Sequence, residues 1–360
     1  MKRVRLKVDT YNIIRIVSAI AIACICACGI IFLVSDDWGS SIYHLFIGPF
    51  TSKRKLSNVI EMMIPLVFTG LSLNIAFKCG FFNMGVDGSF YLGAIFAALL
   101  AINLPLPVGV HQFIIILVAA LIGGIVALIP ALIKKYTGAN ELVTSLMFNY
   151  VFFHLGIYIL NHYMLDDTTG YASYKFLKTA RLGRLVEGTQ LHYGLIIMLI
   201  TWGVMWYISE KSAIGYKLRV IGSNMDFAKY SGIKVTGVIL LSQFIAGVLA
   251  GMGGAIEMVG MNTRFTWNLP IQYVWDGILI NLLANSSTAL IPLSALFISY
   301  IRIGADVMSR NTGVDNQIVA IIQCIIILLV ASEKFLYFIK KRKQEKIALE
   351  NQGREVKEVI

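Results

Sequence analysis

Residues 80–88 read Gly-Phe-Phe-Asn-Met-Gly-Val-Asp-Gly, and they lie where one long apolar run, residues 56–77, gives way to another, residues 85–104. Each run is close to the roughly 20 apolar residues that a membrane-spanning helix needs. Within lipid every backbone polar group must be bonded internally, and an ionised carboxylate such as Asp87 is costly. The glycine-rich break therefore predicts either a water-accessible path or a place where two helices approach closely.

The composition of the whole chain is typical of a polytopic membrane protein. Of its 360 residues, 57% are hydrophobic and 14% are charged, whereas soluble domains carry roughly 25% charged residues. Basic residues of the net +11 charge cluster beside the first and last apolar runs, and this placement indicates the cytoplasmic side of a membrane. We predict a multi-pass protein of the cell membrane, with both termini in the cytoplasm and no nucleic-acid partner.

The apolar runs predict an all-α protein with about ten transmembrane helices, residues 1–12 forming a cytoplasmic segment, 13–339 the transmembrane domain and 340–360 a basic cytoplasmic tail. The first run could instead be a signal peptide, but it exceeds the usual apolar core of about 7–15 residues, so we expect it to be retained. The predicted spans are residues 13–34, 56–77, 85–104, 110–133, 141–163, 193–208, 236–259, 273–283, 288–307 and 318–338.

A weak internal repeat accompanies these spans. The sequence Gly-Val-Asp-Gly at 85–88 is echoed by Val-Trp-Asp-Gly at 274–277, and each opens an apolar run. Duplicated halves with broken helices are a common construction in transporters, although four residues can also match by chance.

Polar residues inside the apolar runs are candidates for a path through the membrane. Asn83 and Asp87 lie four apart and would face the same way on a helix. Glu141, Ser145 and Asn149 repeat at the same spacing and predict a polar stripe, in which Glu141 also suits a first helical turn. Such side chains either line a path or bond neighbouring helices together. The candidates for a translocation path are Asn83, Asp87, Asn149 and Asp276.

Small residues recur every four positions between residues 247 and 254. Gly247 and Gly251 form one such pair, and Ala250 and Gly254 form another. This spacing predicts close packing of a transmembrane helix against its neighbours.

The basic segment 210–234 is predicted to lie in the cytoplasm. Asn224 can cap a short helix there, and Gly232 can end it. Phe227, Ala228 and Tyr230 would then be available for contact. Because a helix this short is marginal alone, the segment is either an amphipathic loop on the membrane surface or a docking element for a cytoplasmic partner.

No motif in the sequence indicates catalysis. The chain contains no G-x-x-x-x-G-K-[ST], no H-E-x-x-H and no G-x-S-x-G. The five cysteines show no zinc-type pairing with histidine. We expect no catalytic residue, no metal site and no cofactor bound by this chain.

Three blocks of sequence point to a family: residues 80–88 with Tyr-Leu-Gly-Ala at 91–94, residues 138–150, and residues 215–233. Over roughly residues 56–335 the chain resembles the permease subunits of ATP-binding-cassette (ABC) importers of the branched-chain amino acid and simple-sugar class. The second block, with its Gly-Ala-Asn-Glu start and Asn-Tyr end, resembles the nucleoside-uptake branch that works with basic-membrane-protein-type lipoproteins. The third resembles the family's coupling helix, Gly-x-x-x-Arg-x-x-Gly-x-Asn.

The resemblance implies a transmembrane pathway for nucleoside uptake by alternating access, in a chain that is not itself an enzyme. It implies three protein partners: a cytoplasmic ABC ATPase that binds ATP–Mg, a second permease subunit, homologous or identical, and an extracytoplasmic substrate-binding lipoprotein. It assigns coupling to the ATPase to Gly215, Arg219, Gly222, Asn224, Asp226, Ala228 and Gly232.

The chain departs from the family pattern at positions that bear on substrate choice. The family usually has glutamate where Asp87 stands and glutamine where Ser89 stands. A simple-sugar permease of the same architecture is the nearest alternative. An ion-coupled secondary transporter would also explain carboxylates at Asp87 and Asp276, and a structural or enzyme-anchoring membrane protein would predict no transport.

Overall fold

The computed structural model describes residues 37–271 and 273–313, together with the isolated positions 25, 28, 29, 31, 32, 321 and 324. The predicted terminal segments and the span 318–338, apart from 321 and 324, lie outside this part, as does most of the span 13–34. The chain divides into two compact units, Met1–Gly48 with Gly304–Ile360, and Pro49–Ile303. All of the site residues predicted above belong to the second unit.

The regular structure of the described residues is helical. Leu160–Met164 extends the fifth helix as a π-helical turn, and short 3₁₀ turns form at Gly48–Phe50 and Thr288–Leu290. The α-helices are α1 (Trp38–Phe46), α2 (Lys53–Lys78), α3 (Val86–Asn103), α4 (Val110–Thr137), α5 (Glu141–Ile159), α6 (Gly194–Lys211), α7 (Ala213–Ser223), α8 (Met225–Tyr230), α9 (Val235–Met261), α10 (Tyr273–Leu283) and α11 (Ile291–Thr312).

Six helical stretches among the described residues are long and apolar enough to cross a membrane: Lys53–Lys78, Val86–Asn103, Val110–Thr137, Glu141–Met164, Val235–Met261 and Thr288–Thr312. They confirm the all-α polytopic class. Helices α6 and α10 occupy two more predicted runs but are not among the six, and α10 has 11 residues, about 17 Å of helix. The described helices thus support neither the count of ten spans nor duplicated halves.

Helix α9 lies at the centre of the second unit, packed against α2, α3 and α4. A Cβ atom on Gly251 would lie 2.2 Å from the carbonyl oxygen of Ala119 on α4, and one on Gly254 would lie 2.1 Å from that of Phe90 on α3. Any larger side chain would push these helices apart. The prediction of close packing from the small-residue spacing is confirmed.

The start of α5 follows from its local sequence. Gly138 ends α4 in the left-handed region, with φ +73°, which glycine adopts without strain. The Asn140 Oδ1 atom then accepts the backbone N–H of Leu142 at 3.0 Å as a helix cap. Glu141 falls in the first turn and pairs with Lys134 at 2.6 Å, as the first-turn interpretation of this glutamate expects.

Candidate functional site

The glycine-rich break is a non-helical connection between α2 and α3. Helix α2 ends at Lys78, Gly80 adopts φ +71°, and α3 begins only at Val86. Asn83 therefore lies outside a helix, whereas Asp87 lies in the first turn of α3. These two side chains would share one face only if residues 83–87 were helical, and this condition is not met, because α3 begins after Asn83.

Asn83 is part of the helix packing. Its side chain is 1% exposed, and the Nδ2 atom donates to the Ala127 carbonyl at 3.1 Å and to Gln243 Oε1 at 3.0 Å. The Oδ1 atom accepts the backbone N–H of Gly85 at 2.8 Å. Both amide hydrogens are thus used to join the break to α4 and α9, which favours the helix-bonding interpretation of this residue.

Two side chains of α5 satisfy the backbone of the break. Ser145 Oγ accepts the N–H of Met84 at 2.9 Å. Asn149 Nδ2 donates to the Met84 carbonyl at 2.8 Å, and Asn149 Oδ1 accepts the N–H of Gly88 at 3.0 Å. The polar stripe predicted on α5 therefore bonds this helix to the non-helical segment, where backbone groups would otherwise have no partner.

A cavity with a volume of ≈ 240 Å³ opens beside the break. Asp87 is one of its lining residues, and the Oδ1 atom of Asp87 is buried with no hydrogen-bond partner among the described residues. Four aromatic side chains contribute to the walls, and two of the four predicted path residues, Asp87 and Asn149, do so as well. The lining residues are Asp87, Gly88, Tyr91, Leu146, Asn149, Tyr150, Phe153, Pro270, Ile271 and Trp275.

The aromatic wall is fixed by contacts between α3, α5 and the segment that precedes α10. The Tyr91 hydroxyl donates to the Trp267 carbonyl at 3.0 Å, and the Tyr91 and Phe153 ring centroids are 5.0 Å apart. A Cβ atom on Gly156 would lie 2.4 Å from the Tyr91 ring. Glycine at this position thus lets α5 approach α3 closely enough to close the wall.

Asp276 does not line the cavity. It lies in the first turn of α10, is 4% exposed, and pairs with Arg302 of α11 at 2.5 Å. The preceding residue, Trp275, faces the cavity instead. The structure places Asp276 in a buried ion pair, separate from the other predicted path residues.

The predicted coupling segment forms two short helices, α7 and α8. Asn224 Oδ1 accepts the N–H of Phe227 at 2.9 Å and caps α8, as predicted. Ala228 is fully buried, whereas Phe227 is 58% exposed and Tyr230 is 92% exposed. The expectation that Ala228 is available to a partner is wrong, since it faces the protein interior.

The remaining coupling candidates divide into two groups. Three of them, all on α7, hold this helix against its neighbours. A Cβ atom on Gly215 would lie 2.1 Å from the Ser209 carbonyl, and one on Gly222 would lie 2.2 Å from the Lys78 carbonyl. The third, Arg219, pairs with Glu210 at 3.7 Å. Two shape α8, since Asp226 occupies its first turn and Gly232 follows its end with φ +76°.

Sequence reasoning missed two buried carboxylates, Glu61 in α2 and Glu257 in α9, which are 2% and 7% exposed. Glu257 Oε1 accepts the hydroxyl proton of Tyr273 at 3.1 Å. Glu61 Oε1 has no partner among the described residues. Their signal was available, because an acidic residue within an apolar run is costly and rarely lacks a role.

The connection between α5 and α6 carries two titratable groups with shifted pKa values. The Thr168 hydroxyl and the Arg264 guanidinium hold the pKa of Asp166 below its ordinary value. Burial lowers the pKa of His192 to about 4, and its Nδ1 atom accepts the N–H of Gly194 at 3.1 Å. His192 is therefore neutral near pH 7.

Within the described ranges, no group of three or more His, Cys, Asp or Glu side chains is placed to hold a metal ion. The cavity lining offers a solute one carboxylate (Asp87), one side-chain amide (Asn149) and four aromatic rings. They suit recognition of a polar, ring-containing solute.

A family model described as branched-chain amino acid transport system / permease component matches residues 55–331. The chain is 31% identical to the guanosine ABC transporter permease protein NupP of Bacillus subtilis, over 88% of this chain and 92% of that one. It is 28% identical to the nucleoside ABC transporter permease protein NupB of Lactococcus lactis, over 82% and 83% of the two chains.

A third relative bears a different substrate name. The glucose ABC transporter permease protein TsgB13 of Haloferax volcanii is 28% identical over 86% of this chain and 83% of its own length. All three relatives match more than four-fifths of the chain, and residues 55–331, which the family model matches, contain the break, the cavity and the coupling segment. The chain therefore belongs to the family of branched-chain amino acid transport system permease components.

Proposed function

We propose that this protein is the permease subunit of an ABC importer for nucleosides. The observation that carries the proposal is the match, over most of the chain, to permeases named for guanosine and nucleosides. The aromatic cavity beside the break supports the proposal. It offers aromatic rings that can stack on the base and a carboxylate that can accept hydrogen bonds from the sugar or the base.

The chemistry of the cavity suits a base joined to a sugar. Aromatic faces such as those of Tyr150, Phe153 and Trp275 stack on nucleobases, each stacked base contributing about 1–3 kcal/mol. The unpartnered Asp87 carboxylate can accept hydrogen bonds from ribose hydroxyls or from base N–H groups. Asn149 Oδ1 and Nδ2 already bond the break, so Asp87 is the polar group we assign to substrate.

The volume of the cavity favours a pathway shared between two subunits. At ≈ 240 Å³ it falls below the roughly 300–1,000 Å³ of typical small-molecule sites. Helix α5, which supplies part of its wall, has only 17% of its most apolar stretch buried, compared with 89% for α2. A second permease subunit, identical or homologous, would cover this helix and complete the path.

The complete importer then contains this permease pair, an extracytoplasmic lipoprotein that delivers the nucleoside, and a cytoplasmic ATPase pair that hydrolyses ATP–Mg. Segment 210–234 is the coupling element, with Phe227 and Tyr230 exposed for docking on the ATPase. In the topology that we propose, both termini are cytoplasmic and about ten helices span the membrane. This chain carries out no covalent chemistry.

The proposal is tested by labelled uptake in cells or proteoliposomes that contain the permease with its ATPase and lipoprotein. We expect guanosine uptake that requires ATP, with competition by other nucleosides and none by ribose or glucose. Uptake driven by an ion gradient from this chain alone would refute the ABC assignment. Competition by glucose and not by nucleosides would favour the sugar alternative, which the Haloferax volcanii relative supports.

The role of Asp87 is tested in the same assay. Asp87→Asn keeps the size of the side chain but weakens its capacity to accept hydrogen bonds, so we expect nucleoside uptake to fall at least tenfold. Asp306→Asn serves as the control, because Asp306 forms an exposed pair with Arg310 on α11 and does not line the cavity. Equal uptake by the Asp87 variant and the wild type would remove Asp87 from the path.

A further inference from the structure

The last residue of α2, Lys78, directs its side chain into the protein. The side chain is 8% exposed, although a lysine at a helix end usually extends into water. Its Nζ atom donates to Glu210 Oε1 at 2.9 Å, to Thr288 Oγ1 at 2.8 Å and to Ser209 Oγ. An ammonium group has three hydrogens to donate, and this one has a protein acceptor for each.

On one side Lys78 is joined to the coupling segment. Glu210, its ion-pair partner, also faces Arg219 of α7 at 3.7 Å, and Arg219 donates to the Ser209 carbonyl. Gly222 of α7 lies directly against the Lys78 carbonyl, where a Cβ atom would come within 2.2 Å. Lys78 thus touches α7 through its backbone and reaches it again through Glu210.

On the other side Lys78 is joined to α10. The Thr288 hydroxyl, which accepts from Lys78, donates to Asn74 Oδ1 at 2.9 Å. Asn74 Nδ2 donates in turn to Asn281 Oδ1 and to the Ser286 carbonyl, both at 2.8 Å. Asn74 and Thr288 are fully buried, so water does not compete for these bonds.

The far end of this chain of bonds lies on a helix that forms part of the cavity wall. Asn281 belongs to α10, the helix on which Trp275 forms part of the cavity wall. The two residues are six apart, about 9 Å along a helix axis. A displacement that tilts or shifts α10 at Asn281 therefore moves Trp275 as well.

We infer that Lys78 is a positioning residue that transmits movement of the coupling segment to the cavity wall through α10. The inference rests on the proposed importer function and goes beyond it by naming the connection. Hydrogen bonds between buried groups are strong and leave few alternative arrangements. A segment displaced by the ATPase would therefore carry this bonded set, and α10 with it, as one body.

The test uses the whole importer in proteoliposomes, with the ATPase, the second permease and the lipoprotein present. Lys78→Met removes the three donors and keeps the length of the side chain, and Lys78→Arg keeps a cation with several donors. Lys134→Met is the matched control, because Lys134 pairs with Glu141 outside this set of bonds. Assembly of the complex, ATP hydrolysis with and without loaded lipoprotein, and nucleoside uptake per ATP are measured.

We expect Lys78→Met to assemble and to hydrolyse ATP at the basal rate, while lipoprotein stimulation and uptake per ATP both fall at least tenfold. Lys78→Arg should recover part of both, and Lys134→Met should resemble the wild type. Unchanged uptake per ATP in Lys78→Met would overturn the inference, as would hydrolysis and uptake that fall in proportion.

A second variant covers the case in which Lys78→Met does not assemble. Thr288→Val removes one hydroxyl from the middle of the bonded set and preserves its volume, so it should lower uptake per ATP in an assembled complex. Normal stimulation and stoichiometry in Thr288→Val would then overturn the inference. If the wild type imports no nucleoside, the proposed substrate is wrong. The stimulation of ATP hydrolysis by loaded lipoprotein can still be compared between the wild type and Lys78→Met, and this comparison still tests the role of Lys78.

Discussion

Replacing Asn149 with leucine tests whether α5 holds the glycine-rich break in place. Leucine keeps the volume and the helical preference of the position, but it removes the bonds to the Met84 carbonyl and the Gly88 N–H. A buried backbone group that loses its partner costs about 1–3 kcal/mol, so two of them cost about 2–6 kcal/mol. Because Asn149 is only half-buried, we expect a loss near the lower end, about 2–3 kcal/mol.

The measurement is the free energy of unfolding of the purified permease in mixed micelles, followed by helical circular dichroism as denaturing detergent is added. Asn149→Asp should lie between the wild type and Asn149→Leu, since a carboxylate can still accept from Gly88 but cannot donate to Met84. Val151→Leu is the control, because Val151 is 55% exposed on the same helix. Surface substitutions usually change the free energy of unfolding by less than about 0.5 kcal/mol. If the change for Asn149→Leu lies within that range, Asn149 does not hold the break in place.

Three further predictions follow from other contacts. Gly251→Leu should prevent folding, because even a Cβ atom there would lie 2.2 Å from a backbone oxygen. Gly237→Leu is the control and should accumulate normally, because a Cβ atom there would have nothing within 4 Å. Gel filtration of both variants measures the folded protein. The folded pKa of His192, about 4, lies below the ordinary 6.5, so the unfolded chain takes up the proton first. Stability should be full above about pH 6.5 and fall by about 1.4 kcal/mol per pH unit on acidification towards pH 4. His192→Asn should flatten that part of the pH profile, and an unchanged slope would contradict the assignment. Tyr230→Glu should weaken ATPase binding at least tenfold in pull-down titrations without loss of folding. Ala228→Glu should instead destabilise the permease itself, because Ala228 is buried. If Tyr230→Glu binds the ATPase as the wild type does, α8 is not the docking site.

Features that depend on residues close together in the sequence could be predicted. The small-residue spacing around Gly251 specifies a close helix contact, because a spacing of four puts those residues on one face. The cap at Asn224 and the stop at Gly232 are likewise local, since each depends on the backbone conformation of a few neighbouring residues.

Features that depend on distant partners could not be predicted. Asn149 is a plausible lining residue in the sequence, yet its amide bonds a segment about 60 residues away. Helix α3 begins at Val86, between Asn83 and Asp87, and a spacing argument that assumes a continuous helix fails there. A six-residue helix such as α8 is also too short for periodicity to indicate that Ala228 faces inward.

The position of α5 links the opening of the cavity to the protection of one backbone amide. The N–H of Gly88 is shielded by the Asn149 side chain on α5, and α5 is also a wall of the cavity. Any excursion that separates α5 from α3 exposes that amide to solvent. The rate of deuterium uptake at the Gly88 amide would therefore report how often α5 separates from α3. Comparing this rate with and without nucleotide bound to the ATPase would show whether the transport cycle changes that frequency.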